Sequence, residues 1–223
     1  VTVNGFSVWS DGECTRLPYD SVPAHRRPGL CLEHGLIRQR MLDVVSALPN
    51  VVIKHDSRIV GIDQSDPFSV VVEVANGRAA TARYRCRLLI AADGTSSRIG
   101  QLAGIGVGNR RISTICGYRV STENLPEQGF GHVFVGSETP ILFYPISPGT
   151  ARILFDIPYR SDHRPRPADC LAMAAALPQQ LRRAVEQVLA RQPLATVPAR
   201  AAKPATRAPG RRALAGAVAG SGP

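Results

Sequence analysis

Between Ser113 and Pro158 the sequence holds four short runs of strand formers, STICGYRVS, GHVFVG, PILFYPIS and TARILFDIP, with Gly and Pro between them and no helical segment. Alternation with a period of two over runs of this length gives each strand one apolar face. Parallel neighbours would need crossover connections of a dozen or more residues, usually helical, and the spacing here leaves no room for them. The runs therefore predict an antiparallel sheet, and a half-apolar sheet needs a second layer or domain. The character of the chain changes near Gly108, just before this region.

The part before that point mixes strands and helices. Residues 1–19 alternate through Val3, Phe6, Val8 and Trp9, and the SDGE segment supplies a turn, which predicts a β-hairpin. DSVPAHRRPG is rich in Pro and Arg and reads as a loop. From His34, Leu36, Ile37, Met41, Val44, Val45 and Leu48 recur at helical spacing until Pro49-Asn50 stops the helix. VVIKHDSRIVGID reads as one long strand or two bent pieces. Two further runs flank Asn76-Gly77, the pair best suited to the positive φ angles of a tight hairpin, and Cys86 alternates within the second. SSRIGQLAG is a short helix closed by Gly104. Beyond the sheet, residues 168–191 are Ala-rich and helical, with Pro178 starting a second segment or kinking the first. RRALAGAVAGSGP reads as a strand entering a glycine-rich turn.

A chain of 223 residues, 44% hydrophobic, can bury roughly 70% of its unfolded surface, enough for one or two domains. The net charge of +10 does not indicate nucleic acid. From Arg160 onward there are eleven basic and three acidic residues, interleaved with Ala and Pro and without one aromatic. A nucleic-acid groove combines basic with stacking residues, so a solvated arginine-rich surface is expected instead. Cysteines 14, 31, 86, 116 and 170 are odd in number, scattered and never in a C-x-x-C pair. Nor do His34, His55 and His132 have ligand spacing, so neither a metal site nor a disulfide framework is expected. A reducing cytoplasm is the default compartment. No run approaches the roughly 18 apolar residues of a membrane span, which leaves only a peripheral membrane contact open. The start, VTVNGFSVWSDGE, has neither a signal-peptide pattern nor an initiator Met and reads as a strand entered partway, so the chain is expected to be a fragment.

The segment LLIAADGTSSRIG, residues 88–100, carries the most chemistry. An apolar strand stops at Asp93-Gly94, small hydroxyl residues follow, and Arg98 closes the group. Ligands meet open α/β sheets at the carboxyl ends of strands, and a glycine there admits close backbone approach. Thr95, Ser96 and Ser97 can cap the following helix and leave amides for a phosphate. Arg98 can bond a phosphate or pair with Asp93. A capped turn without any ligand explains the same residues, and both readings stay open at this level.

The longer pattern, a hydrophobic strand and then ADGTSSRIGQLAGI, resembles the Asp-Gly segment of flavoprotein monooxygenases with the hydroxybenzoate hydroxylase fold. The resemblance implies an α/β (mixed α+β) architecture: a partial FAD-binding domain at 1–108, an antiparallel-sheet substrate domain at 109–200 with helix 168–191, and a return segment at 201–223. It implies FAD and NAD(P)H as cofactors, with Asp93, Gly94 and Arg98 near them. By the L-x-R-x-x-M spacing of Leu36, Arg38 and Met41, Arg38 is the helix residue that reaches the flavin, with Arg40 as the fallback. Val51 or Val52 supplies backbone contacts at the adenine end. The stretch GHVFVGSETPILFYPISPGTARILFDIP, and the later ATVPARAAKPATRAPGRRALAG, resemble squalene epoxidases and their bacterial relatives. On that sheet Tyr144 is the candidate to orient or polarise a substrate, as a phenol can.

Three departures from the pattern accompany the resemblance. The G-x-G-x-x-G fingerprint does not occur, GIGVGNRR being differently spaced. The aspartate of the family's glycine-aspartate motif is replaced at Gly216 by Ala217. The chain stops at Pro223, before the helix that would follow. The isolated chain is therefore expected to bind FAD poorly or not at all. The implied activity is insertion of one oxygen atom from O2 into an apolar substrate such as an isoprenoid alkene. The alternatives are an aromatic-ring hydroxylase or prenyl reductase of the same superfamily, and a non-catalytic remnant or binding module.

Overall fold

The computed structural model describes residues 1–21, 27–77, 81–94, 96–104, 107–204 and 212–214. In chain order the elements are β1 (Thr2–Val3), β2 (Gly5–Ser10), β3 (Glu13–Pro18), β4 (Gly29–Leu30), α1 (His34–Ser46), β5 (Ser57–Asp63), β6 (Val70–Asn76), β7 (Ala82–Cys86), β8 (Leu89–Ala91) and α2 (Arg98–Leu102). There follow β9 (Val107–Ser121), β10 (Gly131–Phe134), β11 (Ile141–Ser147), β12 (Thr150–Pro158), α3 (Pro167–Ala174), α4 (Gln179–Leu189), β13 (Ala195–Pro204) and β14 (Arg212–Leu214). The mixed α/β class expected from the sequence is the one observed. The chain forms two units, Val1–Met41 with Ile112–Ala199, and Leu42–Arg111 with the described residues from Arg200 onward.

The first unit is built on a seven-stranded sheet in the order β13-β9-β12-β11-β10-β2-β3. Along β12 the alternation is strict: Ala151, Ile153, Phe155 and Ile157 are buried, while Arg152, Leu154 and Asp156 between them are half-buried. The buried set of β9, β11 and β12 packs with Cys170, Ala174, Leu177, Leu181 and Val185, so α3 and α4 cover this one face. Pro178 separates two helices rather than kinking one, because its ring and missing N–H interrupt the helical ladder. In α4 the buried Leu181, Ala184 and Val185 fall on one stripe of a 3.6-residue repeat.

The turns obey local chemistry. Asp11 and Gly12 both take positive φ, 50° and 83°, as a two-residue hairpin loop requires. Pro148-Gly149 joins β11 to β12, with Gly149 at φ 76°. The β11–β12 register shifts between Pro145 and Ser147, at a proline that has no N–H for the ladder.

Two expectations need correction. The β2–β3 hairpin, predicted within a domain ending at 108, completes the sheet of the other half of the chain: β2 lies beside β10 and runs parallel to it, with Phe6 opposite Gly131 and Val8 opposite Val133. The sheet is thus mixed rather than wholly antiparallel, because a strand distant in sequence joins its edge. The change expected near Gly108 falls inside β9, which already begins at Val107. Both the sheet and the division of the chain depend on long-range pairing that local pattern does not encode.

In the second unit β5, β6 and β7 form an antiparallel sheet whose core is Val70, Val72 and Val74 with Ile59, Ile62 and Tyr84. Of VVIKHDSRIVGID only Ser57–Asp63 is strand, and Asp56 at φ 52° breaks the run before it. Gly77 takes φ 55°, but Asn76 is the last residue of β6 without a positive φ, so the two-residue turn expected at Asn76-Gly77 is not formed, and residues 78–80 lie outside the described residues. β14 pairs in parallel with β8, Arg212 opposite Leu89, so the predicted late strand is present. Gly216 and Ala217 lie outside the described residues. Helix α1 forms where predicted, yet buries none of its residues, and Met41 and Val44 are 64% and 67% exposed. No described helix is long and apolar enough to cross a membrane.

Candidate functional site

At the end of β8 the strand delivers Asp93 to the start of α2. The Ser97 hydroxyl donates to one carboxylate oxygen of Asp93, and the Ile99 amide donates to the other at 3.1 Å. Ser97 in turn accepts from the Gly100 amide at 2.8 Å, as an N-cap should. Partial burial pushes the Asp93 carboxyl up, but the bonds from Ser97 and the Ile99 amide outweigh it and hold the group below its ordinary range. The first-turn amides of Ile99 and Gly100, which the sequence offered to a phosphate, are therefore already used by the chain's own side chains. Arg98 is exposed and makes no ion pair with Asp93 among the described residues. Gly94 takes φ 91°, a conformation that favours glycine, and no atom lies within 4 Å of where its Cβ would be. Close by, Arg200 donates to the Ser96 hydroxyl at 3.1 Å.

The second candidate place is the face of the seven-stranded sheet opposite α3 and α4. Register sets its side chains in rows. One runs Val8, Val133, Leu142, Leu154, Gly117; in the next, Tyr144, Arg152 and Arg119 stand side by side on β11, β12 and β9. A cavity of about 260 Å³ opens over the polar row, lined by Tyr144, Arg152, Arg119 and Leu154 and closed by Gln192 and Val197. Beside it lies a cleft of about 750 Å³ lined mainly by apolar residues such as Phe6, Leu17, Val133 and Leu142, with Arg16, Tyr19 and Ser21 also on its walls, and Tyr144 borders both. Gly131 permits this arrangement, since a Cβ there would come within 2.7 Å of the Phe6 ring. Burial raises the Tyr144 phenol, against the opposing pull of the Arg152 guanidinium, so the hydroxyl keeps its proton at neutral pH. Arg119 pairs with Glu33 at 3.2 Å. Its backbone is clasped by the Gln192 amide, which donates to the Arg119 carbonyl at 2.9 Å and accepts from its N–H at 3.3 Å.

Among the residues expected from the sequence, Asp93, Gly94 and Arg98 are neighbours in the second unit. Val51, also in that unit, is half-buried and donates its amide to the Leu48 carbonyl at 3.2 Å. Arg38 is exposed on α1, in the first unit. Sequence reasoning missed Arg119, Arg152 and Gln192 beside Tyr144. The turn at Pro148-Gly149 was the available signal, but counting straight back from Ser147 and Thr150 sets Ile153 opposite Tyr144. The bulge at Pro145 moves Arg152 there instead.

A family model described as squalene epoxidase matches residues 85–214, and so includes both the Asp93-Gly94 segment and strands β9 to β13 of the sheet. The chain belongs to the squalene epoxidase family. Over 161 residues it is 30% identical to squalene monooxygenase SE2 of Panax ginseng, a match covering 70% of this chain and 29% of that protein. The chain thus spans under a third of that relative's length. The fold is that of p-nitrophenol 4-monooxygenase PnpA from Pseudomonas putida DLL-E4, with a TM-score of 0.71 at 18% identity, over 98% of this chain and 56% of that one. Klebsiella pneumoniae HpxO, solved with FAD and uric acid, superposes with a TM-score of 0.72 at 20% identity, over 95% of this chain and 55% of its own.

Proposed function

We propose that this chain serves in an FAD-dependent monooxygenase, with NAD(P)H as reductant and an apolar substrate such as an isoprenoid alkene. The carrying observation is that the squalene epoxidase match runs from the Asp93-Gly94 segment through five of the sheet's seven strands, β9 to β13. When bound, the flavin supplies the activation of O2 and the transfer of one oxygen atom. The residues present suit such a cofactor: the backbone at Gly94 is open to close approach, and Arg98 and Arg200 place two guanidiniums in the same unit for a pyrophosphate. Asp93 acts there by holding α2 in place. Arg38 and Val51 are proposed as further flavin contacts, from α1 and the segment after it.

The substrate belongs on the sheet face opposite α3 and α4, where a largely apolar cleft can take a hydrocarbon and the protonated Tyr144 hydroxyl can orient a polar group or a π bond. The compartment proposed is a reducing cytoplasm, with peripheral membrane contact as the route for a greasy substrate. The test uses the protein purified from its native source, supplied with FAD, NADPH and squalene. Substrate-stimulated NADPH oxidation with an oxygenated product is expected. A protein that takes up no FAD and consumes no oxygen with any apolar substrate overturns the proposal.

A further inference from the structure

Arg152 and Tyr144 are direct cross-strand neighbours on β12 and β11, brought together by the bulge at Pro145, and both line the cavity of about 260 Å³. A hydrogen bond joins the two side chains. Its direction is fixed by chemistry. A guanidinium has only N–H donors and no acceptor, whereas a phenol oxygen can accept as well as donate. Arg152 must therefore donate and the Tyr144 oxygen must accept, which leaves the phenolic proton for a second partner. On its other side Arg152 meets Arg119 of β9, and like charges directly opposite repel. Glu33 engages Arg119 at 3.2 Å and Gln192 grips its backbone, so the repulsion favours Arg152 on the Tyr144 side. The other titratable groups facing the phenol are the Cys31 thiol ahead of α1 and, across the larger cleft, Tyr19 and Arg16. Arg16 is paired with Glu127 at 2.8 Å.

We infer that Arg152 is a positioning residue: by donating to the Tyr144 oxygen it turns the Tyr144 hydroxyl proton toward the larger cleft, where that proton meets the oxygen atom newly placed on the substrate. Tyr144 borders both the cavity that holds Arg152 and the cleft of about 750 Å³ that Phe6, Val133 and Leu142 line, so the proton has a largely apolar space to point into. A bare alkene offers it only a weak π acceptor, whereas an epoxide oxygen accepts an ordinary hydrogen bond. The interaction therefore grows as oxygen is transferred, which is where binding accelerates a reaction. A charge-assisted bond into the phenol oxygen also strengthens its O–H as a donor. The inference rests on the reading of this face as the substrate's, and adds to it the group that aims Tyr144.

Two readouts on the native protein separate the claims. The first is the ionisation of Tyr144, followed by 19F NMR of protein labelled with 3-fluorotyrosine, its resonance assigned by its loss in Tyr144→Phe. Arg152→Met removes both donor and charge, so the phenol's ionisation constant should fall about tenfold. Arg152→Lys, also a donor without an acceptor, should keep it within about threefold of the parent. The second readout is equilibrium binding of squalene and of its terminal epoxide from the same micelles. The parent should prefer the epoxide by about fivefold, the size of one ordinary net hydrogen bond. Tyr144→Phe and Arg152→Met should lose that preference while squalene affinity stays within about twofold. Arg152→Gln should lose it too, because its carbonyl can take the phenolic proton, and Arg152→Lys should keep it. Thermal melts show that each variant is folded. An ionisation constant or an epoxide preference unchanged in Arg152→Met overturns the positioning role, and the substrate face still stands if Tyr144→Phe removes the preference. Tyr144→Phe and Leu142→Asp both without effect on either ligand overturn the reading of the face itself.

Discussion

Replacing Asp93 with alanine tests what the carboxylate does. In the structure it accepts from the Ser97 hydroxyl and the Ile99 amide, while Ser97 accepts from Gly100, so one substitution loosens the whole first turn of α2. Capping bonds of this kind contribute about 0.5–2 kcal/mol, and Asp93 is exposed enough that solvent screening keeps the figure at about 1 kcal/mol. Hydrogen exchange at the Ile99 and Gly100 amides should then accelerate roughly fivefold, and the melting temperature of the second unit should fall by about 4–8 °C. Asp93→Asn retains an acceptor and should recover much of both effects. The sign with pH follows from the depressed carboxyl. Its contribution is present above the ordinary aspartate value of 3.8 and is lost only as pH falls through the lower folded value. Asp93→Ala should therefore differ from the parent equally at pH 5 and pH 8. The reasoning is refuted if Asp93→Ala leaves both amides protected while FAD affinity drops more than tenfold, for the carboxylate would then be a ligand rather than a cap.

Two other predictions concern the first unit. His132, fully buried, accepts from the Trp9 indole at 3.1 Å through Nδ1 and donates to the Glu127 carbonyl through Nε2 at 3.0 Å. A proton on Nδ1 would set two donors face to face, and burial also pushes the ring's pKa below 6.5. Its contribution is present above 6.5 and is lost as pH falls through the folded value, so urea midpoints followed by the single tryptophan, Trp9, should drop from pH 7.5 to pH 5. His132→Gln should flatten that slope. Phe155, fully buried between the sheet and its helices, should cost about 3–5 kcal/mol when replaced by alanine, measured by the same urea transitions; a loss under 1 kcal/mol would mean that this core is not formed.

Local chemistry was legible where it was self-contained. The Asp11-Gly12 turn, the helix at Pro178 and the alternation of β12 follow from residues a few positions apart. The placement of β2 beside β10 was not legible, because it joins residues more than 120 positions apart with no periodic signature. The site divides along the same line. Asp93 and Gly94 are contiguous in sequence and stand together before α2, where Asp93 accepts from Ser97 and from the Ile99 amide. Arg152 became Tyr144's neighbour only through a one-residue bulge. Helix α1 shows the converse limit: its spacing predicted the helix correctly, but period says nothing of what covers the apolar stripe.

The protein that carries this chain is proposed to transfer oxygen through a bound flavin. Mass spectrometry of the product formed under 18O2, with the native protein, FAD, NADPH and an apolar isoprenoid, tests it most directly. One 18O atom per product molecule is predicted, with its appearance dependent on FAD. A product labelled only from water, or formed equally without FAD, would contradict the account.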